Sequence, residues 1–432
     1  MPKNWKTYKL NEKMDIGSSK RIFRADYVSK GIPFYRSKEI IQKARNESID
    51  APLFIDKRKF EAIQAKYGSP QELDILISSV GNRSGIPYLV QNETDFYFKD
   101  GNLIWFKNFE KEIHSPFLYQ WLTSNIGQSR LRSTMIGSAQ KALTIEGIKS
   151  IDTTFPPLPE QKAIASILST LDDKIENNLA MNKTLEEMAM ALYKHWFVDF
   201  GPFQKGKFID SELGKIPEGW EVKELGDIFN LKHGYAFKGK FFTQEERREL
   251  LLTPGNFERN GGIKFNWGKQ KFYEGAVPED YILNMGELVL ALTDLTQSCD
   301  ILGAPAFIPD NDYNYLHNQR LGLIELKDNN ISKDFIFCIA NSMPFREYLK
   351  ATKTGSTVSH TSPTRVYKFK VALPPTNTIN FIYDKLKKLN EQKFSNLSEN
   401  KTLTKLRHTL LPKLISGEVR LKEFEEEITT AL

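Results

Sequence analysis

The chain has 432 residues, and at roughly 150 residues per domain that length predicts two or three folded units rather than one core. Its 60 Lys and Arg against 54 Asp and Glu leave a net charge of +6, a mild excess that excludes little alone. No run of about eighteen apolar residues occurs, the first twenty residues carry no apolar signal region, and Cys299 and Cys338 stand far apart outside any C-x-x-C. A membrane span, a secretory signal, a disulfide framework and a thiolate zinc site are therefore not expected, and a cytoplasmic protein is.

In chain order, residues 1–157 read as a first globule, with 24 basic and 17 acidic side chains. That balance permits nucleic-acid binding without requiring it. Three prolines in "PPLP" (156–159) then close the globule. Directly behind them Ile164, Leu168, Leu171 and Ile175 recur at alternating steps of four and three, the spacing of a coiled-coil seam. A helix is expected from about Glu160 to Val198, roughly 60 Å long. Residues 158–210 form this first spacer region, 211–376 a second globule with 20 basic and 21 acidic residues, and 377–432 a second helix with a C-terminal segment. Pro412 is expected to end or kink that second helix.

The second half echoes the first. "NWKTYKL" (Trp5, Leu10) matches "GWEVKEL" (Trp220, Leu225) at an offset of 215, and "DILISSVG" at 74–81 resembles "ELVLALTD" at 287–294. From Gly137 onward the offset settles at 218, and "NKTL" at 182–185 recurs as "NKTL" at 400–403. Ile164, Leu168, Leu171, Leu185 and Leu192 fall on Ile382, Leu386, Leu389, Leu403 and Leu410. Asn178 and Asn182 likewise fall on Asn396 and Asn400, and a seam Asn fixes register and partner at a cost in stability. The expected fold class is α+β: two α/β heads separated by two long antiparallel coiled-coil helices, as a pseudo-two-fold internal repeat. Lys393 and Arg407 replace the apolar seam residues Ile175 and Ala189, so the second helix is expected to pair more loosely.

Signatures of chemistry are missing. There is no G-x-x-x-x-G-K-[ST] for a nucleotide triphosphate, no Asn/Asp-Pro-Pro-aromatic loop for amino methylation, and no H-E-x-x-H among six scattered histidines. Binding, not catalysis, is the expectation.

The repeat, the junction "PPLPEQKAIASILSTLDDKIENN", the segment "LYKHWFVDFGPF" and the closing "LRHTLLPKLISGEVRL" together resemble the DNA-specificity subunit of a type I restriction-modification system, over essentially the whole chain. The resemblance implies two target recognition domains, each reading one half of a bipartite site in double-stranded DNA, with two methylation subunits and restriction-translocation subunits as partners. It implies no catalysis by this chain and no cofactor on it; S-adenosylmethionine, ATP and magnesium would belong to the partners. The Glu160-Gln161 start of the first helix has Thr378 and Ile379 at the matching positions of the second, a departure from the family pattern.

Reading base edges needs polar or cationic side chains at loop tips. In the first head, Arg36, Ser37 and Lys38 of "YRSKEI", Ser79, Asn82 and Arg83 of "SSVGNRSG", and Ser138, Gln140 and Lys141 of "GSAQK" meet that need. In the second head the candidates are Thr253 and Asn256, Thr293, Asp294 and Gln297, Asn318, Gln319 and Arg320 of "HNQR", and Ser356, Ser359 and His360. The aromatic group Tyr193, Trp196, Phe197 and Phe200 reads either as core capping the helix or as a dock for a methylation subunit, with Leu411, Leu414 and Ile415 as its counterpart. A coiled-coil scaffold whose twin globules bind protein is the alternative from another class.

Overall fold

The computed structural model describes residues 2–421, apart from 3, 48, 50, 51, 82, 94, 138–140, 267, 297, 311, 329, 356 and 357. Two compact units emerge: residues 1–176 with 401–432, and residues 177–400. Each unit contains a head and one half of both long helices, so the units divide within the helices rather than at the helix ends expected from sequence.

In the first unit the central sheet runs in the order 15–17, 103–107, 75–78, 87–89, all antiparallel. The middle strand Ile75–Ser78 is buried at every position because both of its faces are covered. Side chains alternate along a strand. Ile75 and Ile77 therefore join a core with Phe117, Leu118 and Trp121 from the helix Ser115–Thr123, while Leu76 joins Tyr35, Ile40 and Trp105 on the other face. A second sheet orders as 27–28, 53–55, 32–35, 97–98, and its last pairing is parallel. The strand Lys6–Lys9 pairs antiparallel with Asp152–Phe155, so the first and last strands of the head form one clasp.

The second unit repeats this plan. Its central sheet runs 229–233, 321–326, 288–291, 305–307. Leu288 and Leu290 face one core and Val289 and Ala291 the other. The strand Glu249–Leu251 pairs in parallel with Asn314–Leu316, and the clasp recurs between Glu221–Glu224 and Lys370–Leu373. Two helix starts are capped at matching places: Ser124 Oγ accepts Gly127 N–H at 3.1 Å, and Ser342 Oγ accepts Phe345 N–H at 3.4 Å.

The first long helix, Leu158–Tyr193, begins with Pro159 inside its first turn, where a missing N–H costs nothing, and continues into a π-helical turn at Lys194–Val198. The second, Thr376–Ser416, carries Pro412 in its interior and runs four residues past it. Of the two outcomes expected at Pro412, an end or a kink, the end is not found, since the helix continues to Ser416. The neighbouring Leu411, Leu414 and Ile415 are buried in the core of the first unit, and that packing offsets the lost hydrogen bond, worth about 3 kcal/mol.

Burial bears on the two readings, core or dock, given for the apolar groups at the helix ends. Leu411, Leu414 and Ile415 pack with Ile164, Leu168, Trp121 and Phe155. Tyr193 and Phe197 lie in the core of the second unit, with Phe197 4.6 Å from Phe335 between ring centroids. Trp196 and Phe200 are half-buried against that core, Phe200 standing edge-on to Trp220 at 5.2 Å. Of the two readings for the aromatic group, the structure supports the core.

Within the second unit the helical segments run antiparallel, with Asn178 Nδ2 donating to Asn400 Oδ1 at 2.8 Å and Asn396 Nδ2 to Asn182 Oδ1 at 2.8 Å. All four side chains are buried. Lys393 is ion-paired with Glu186 there. In the first unit Arg407 is ion-paired with Asp172 and donates to Gln120 Oε1 at 3.2 Å. The seam cations pin the helices through carboxylates of the first helix, so the looser pairing expected of them is not found.

Candidate nucleic-acid interface

At one end of the first head's central sheet several loops are stitched together by backbone bonds. Ser79 N–H donates to Asn102 O at 2.9 Å, its Oγ to Gly101 O at 3.1 Å, and Ser37 Oγ to Asn102 O at 2.7 Å. Leu143 N–H donates to Ser79 O at 2.8 Å, and bridges Val80–Ala142 and Ile136–Ala142 extend the frame. Ser78, fully buried, shapes the 79–85 loop by donating to Arg83 O at 2.6 Å and accepting Ile86 N–H at 3.0 Å. Gly101 N–H reaches Ser18 Oγ at 3.4 Å, which adds the 17–21 segment.

The second head builds the same frame from different side chains. The bridges Val80–Ala142 and Ile136–Ala142 reappear as Thr293 paired with His360 and Thr354 bridged to His360. Thr293 Oγ1 lies 3.0 Å from His360 Nδ1. Leu292 N–H donates to Arg320 O at 2.9 Å, and Gln319 N–H to Tyr235 O at 3.0 Å, so the 317–320 loop belongs to the cluster. Gly137 and Gly355 occupy matching turns at φ 101° and 88°, a region open to glycine and strained for other residues.

Predicted residues divide into two groups on this frame. Lys38 in the first turn of the helix Ser37–Lys43, Arg83 and Lys141 in loops of the first head, Gln319 and Arg320 in a loop of the second and His360 on the short strand Ser359–His360 are exposed. Ser79, Asn256, Thr293, Asp294, Asn318 and Ser359 are buried. Asp294 accepts Thr296 N–H and Ile301 N–H, both at 2.7 Å; Asn256 Nδ2 donates to Gln270 Oε1 at 2.9 Å; Asn318 Oδ1 accepts Arg320 N–H at 2.9 Å. Ser359 Oγ takes Lys353 Nζ at 3.0 Å, and Thr253 Oγ1 donates to Asn256 Oδ1 at 3.0 Å. The hydrogen-bonded atoms of these residues hold the loops in place. Asn82, Ser138, Gln140, Gln297 and Ser356 lie outside the described residues.

Arg36 is half engaged, because its Nη2 donates to the buried Glu39 carboxylate at 2.6 Å. Burial would raise the Glu39 carboxyl, but Arg36 and backbone N–H donors outweigh it and hold the group below the usual carboxylate range. His317, beside the exposed pair Gln319 and Arg320, is driven down to about 4 by burial and is neutral near pH 7. Arg346 behind the 294–300 loop falls to about 10 through burial, partly opposed by Asp294 and Asp300.

Sequence reasoning missed the "GSSKRIFR" segment. Lys20, Arg21 and Arg24 are exposed there, and Lys20 lines a groove of about 690 Å³ with Lys107, Lys149, Tyr67 and Trp105. Interleaved cations and an aromatic were the available signal. A family model described as the type I restriction modification DNA specificity domain matches this chain twice, over residues 2–187 and 217–406, once per head.

The chain belongs to the type I restriction-modification DNA specificity domain family. Among relatives similar to this specificity-domain chain, the MjaIX specificity subunit of Methanocaldococcus jannaschii is 27% identical over 326 residues, covering 72% of this chain and 70% of the relative. The HindI specificity subunit of Haemophilus influenzae is 25% identical over 405 residues, covering 80% and 86%. The crystal structure of a type I restriction-modification S subunit from M. genitalium superposes with a TM-score of 0.57 at 17% identity, covering 95% of this chain and 96% of that one, a likeness of fold.

Proposed function

We propose that this chain is the specificity subunit of a type I restriction-modification complex, in which each head reads one half of a bipartite duplex DNA site. The observation that carries this reading is one specificity domain per head, each presenting the same stitched loop frame with its own exposed side chains. Lys38, Arg83 and Lys141, and Gln319, Arg320 and His360, are assigned to bases and phosphates. The buried polar residues are assigned to positioning those loops. The chain performs no chemistry in this proposal. Two methylation subunits with S-adenosylmethionine and restriction-translocation subunits with ATP and magnesium supply it, in the cytoplasm. Among the described residues no helix is long and apolar enough to cross a membrane.

Two measurements test the proposal. Methylated bases in the host genome, mapped with and without this gene, should form one bipartite motif with a fixed gap that disappears on deletion; a continuous motif, or one that persists, would overturn it. In the complex with its methylation partner, Arg83→Ala should weaken DNA binding about tenfold and lower the salt slope by about 1 if the residue neutralises a phosphate, with the thermal midpoint unchanged. Unaltered affinity across salt would remove Arg83 from the interface.

A further inference from the structure

Residues 17–30, "GSSKRIFRADYVSK", carry Lys20, Arg21, Arg24 and Lys30 against a single carboxylate, Asp26. Within the segment neighbouring side chains part company. Ile22 is buried against Phe34, Ile55, Phe60 and Tyr97, whereas Phe23 is 64% exposed. A lone exposed apolar residue is ordinary. This one differs because its presentation is built. Phe23 N–H donates to Asp26 Oδ2 at 3.0 Å, Asp26 N–H returns to Phe23 O at 2.9 Å, and Lys59 holds the Asp26 carboxylate at 3.3 Å. Ile22 anchors the turn from below, so this closed set of backbone contacts fixes where the exposed Phe23 side chain leaves the chain.

The turn is also continuous with the loop frame. Ser19 Oγ donates to Phe98 O at 2.7 Å, Lys20 N–H to Tyr97 Oη at 2.8 Å, and Arg21 Nε to Asp100 Oδ2 at 2.8 Å, alongside the Gly101–Asn102 stretch that ties in Ser79 and Ser37. An exposed aromatic on a fixed turn between exposed cations, next to loops assigned to bases, has the chemistry of a side chain that enters a base step while its neighbours neutralise phosphates. We propose that Phe23 is a wedge that unstacks one base step at the edge of the half-site read by the first head, with Arg21 and Arg24 on the flanking phosphates. This inference rests on the DNA-reading function proposed above.

The second head lacks the device. At the repeat offset of 215 the position of Phe23 is held by Lys238, and the aromatic of that turn, Phe241, packs on Tyr273 at 5.8 Å. Distortion is therefore confined to one half-site.

The test uses the complex with its methylation partner on duplexes carrying the mapped motif, with 2-aminopurine placed in turn at adenines in and beside both half-sites. Apart from the bases that the methylation subunits turn out of the stack, wild type should brighten at one further step, in one half-site only. Phe23→Ala should abolish that signal and weaken binding about tenfold, and Phe23→Trp should retain both. Met343→Ala removes a side chain that is 70% exposed in the other unit and should change neither. If Phe23→Ala binds and brightens as wild type does, the wedge is wrong and the DNA-reading function stands. Loss of the methylation partner with DNA signals intact would make Phe23 a protein contact and also overturn the wedge. Failure of the wild-type complex to bind its mapped motif would overturn both readings.

Discussion

His317 illustrates how a buried residue can support an exposed loop from beneath. It is 1% exposed, its Nε2 lies 3.1 Å from Leu321 O, and burial favours its neutral form. A group whose folded value is depressed stabilises the fold above its unfolded value of about 6.5 and loses that contribution as pH falls toward about 4. Acidification through this window should therefore lower the thermal midpoint, and His317→Gln should flatten the loss; an identical pH profile in the variant would assign the sensitivity elsewhere. The same logic limits what loop sequences disclose. Arg83 and Ser79 both stand in "SSVGNRSG", yet one is exposed and the other holds Gly101 O. Polar residues are needed to read bases and equally to satisfy the backbone of the loops that read them, and composition does not separate the two needs. Phe23 was hidden for the opposite reason, since an aromatic in a strand-rich segment reads as core.

Among the elements, the long helices were legible because heptad spacing and repeated Asn leave few alternatives, and Asn178–Asn400 and Asn182–Asn396 meet as layers. What stayed hidden depends on the opposite surface. Pro412 and the cations Lys393 and Arg407 look disruptive in a single strand of sequence, and only their packing and carboxylate partners reveal otherwise. Asn182 Nδ2 is buried without a hydrogen-bond partner, so this layer holds an unmet polar atom. Replacing both Asn182 and Asn396 by Leu should raise the thermal midpoint by several degrees while loosening register. Replacing Asn182 alone should cost about 1–3 kcal/mol, because the buried Asn396 Nδ2 loses its acceptor while its Oδ1 keeps only Gln392. Cross-linking yield between cysteines placed at Glu186 and Lys393 reads the register, and unchanged yield in the double variant would reject the specifying role of the layer.

For the whole molecule, the internal repeat was the strongest signal in the sequence, and its reach exceeds the few matching letters. The order of the central sheet, the clasp, the helix pair with its Ser caps and the loop bridges recur, while the second sheet has four strands in the first head and five in the second. Faint identity with a recurring central frame is what a shared backbone scaffold with divergent surface elements and side chains produces. If the helices set the gap between half-sites, adding seven residues to each, after Glu176 and after Asn400, lengthens them by about 10 Å, or about three base pairs. The methylated motif should then keep both half-sites and widen its gap by about three; an unchanged gap would separate helix length from site spacing.

The clasp carries a consequence for inheritance. Lys6 lies opposite Phe155, and Glu221 opposite Leu373, so each head's chain enters and leaves through one paired doorway. A gene fragment spanning one doorway encodes a cartridge whose ends already fit the socket left by its predecessor. One recombination event can thus exchange a whole head while leaving the long helices of the chain unchanged.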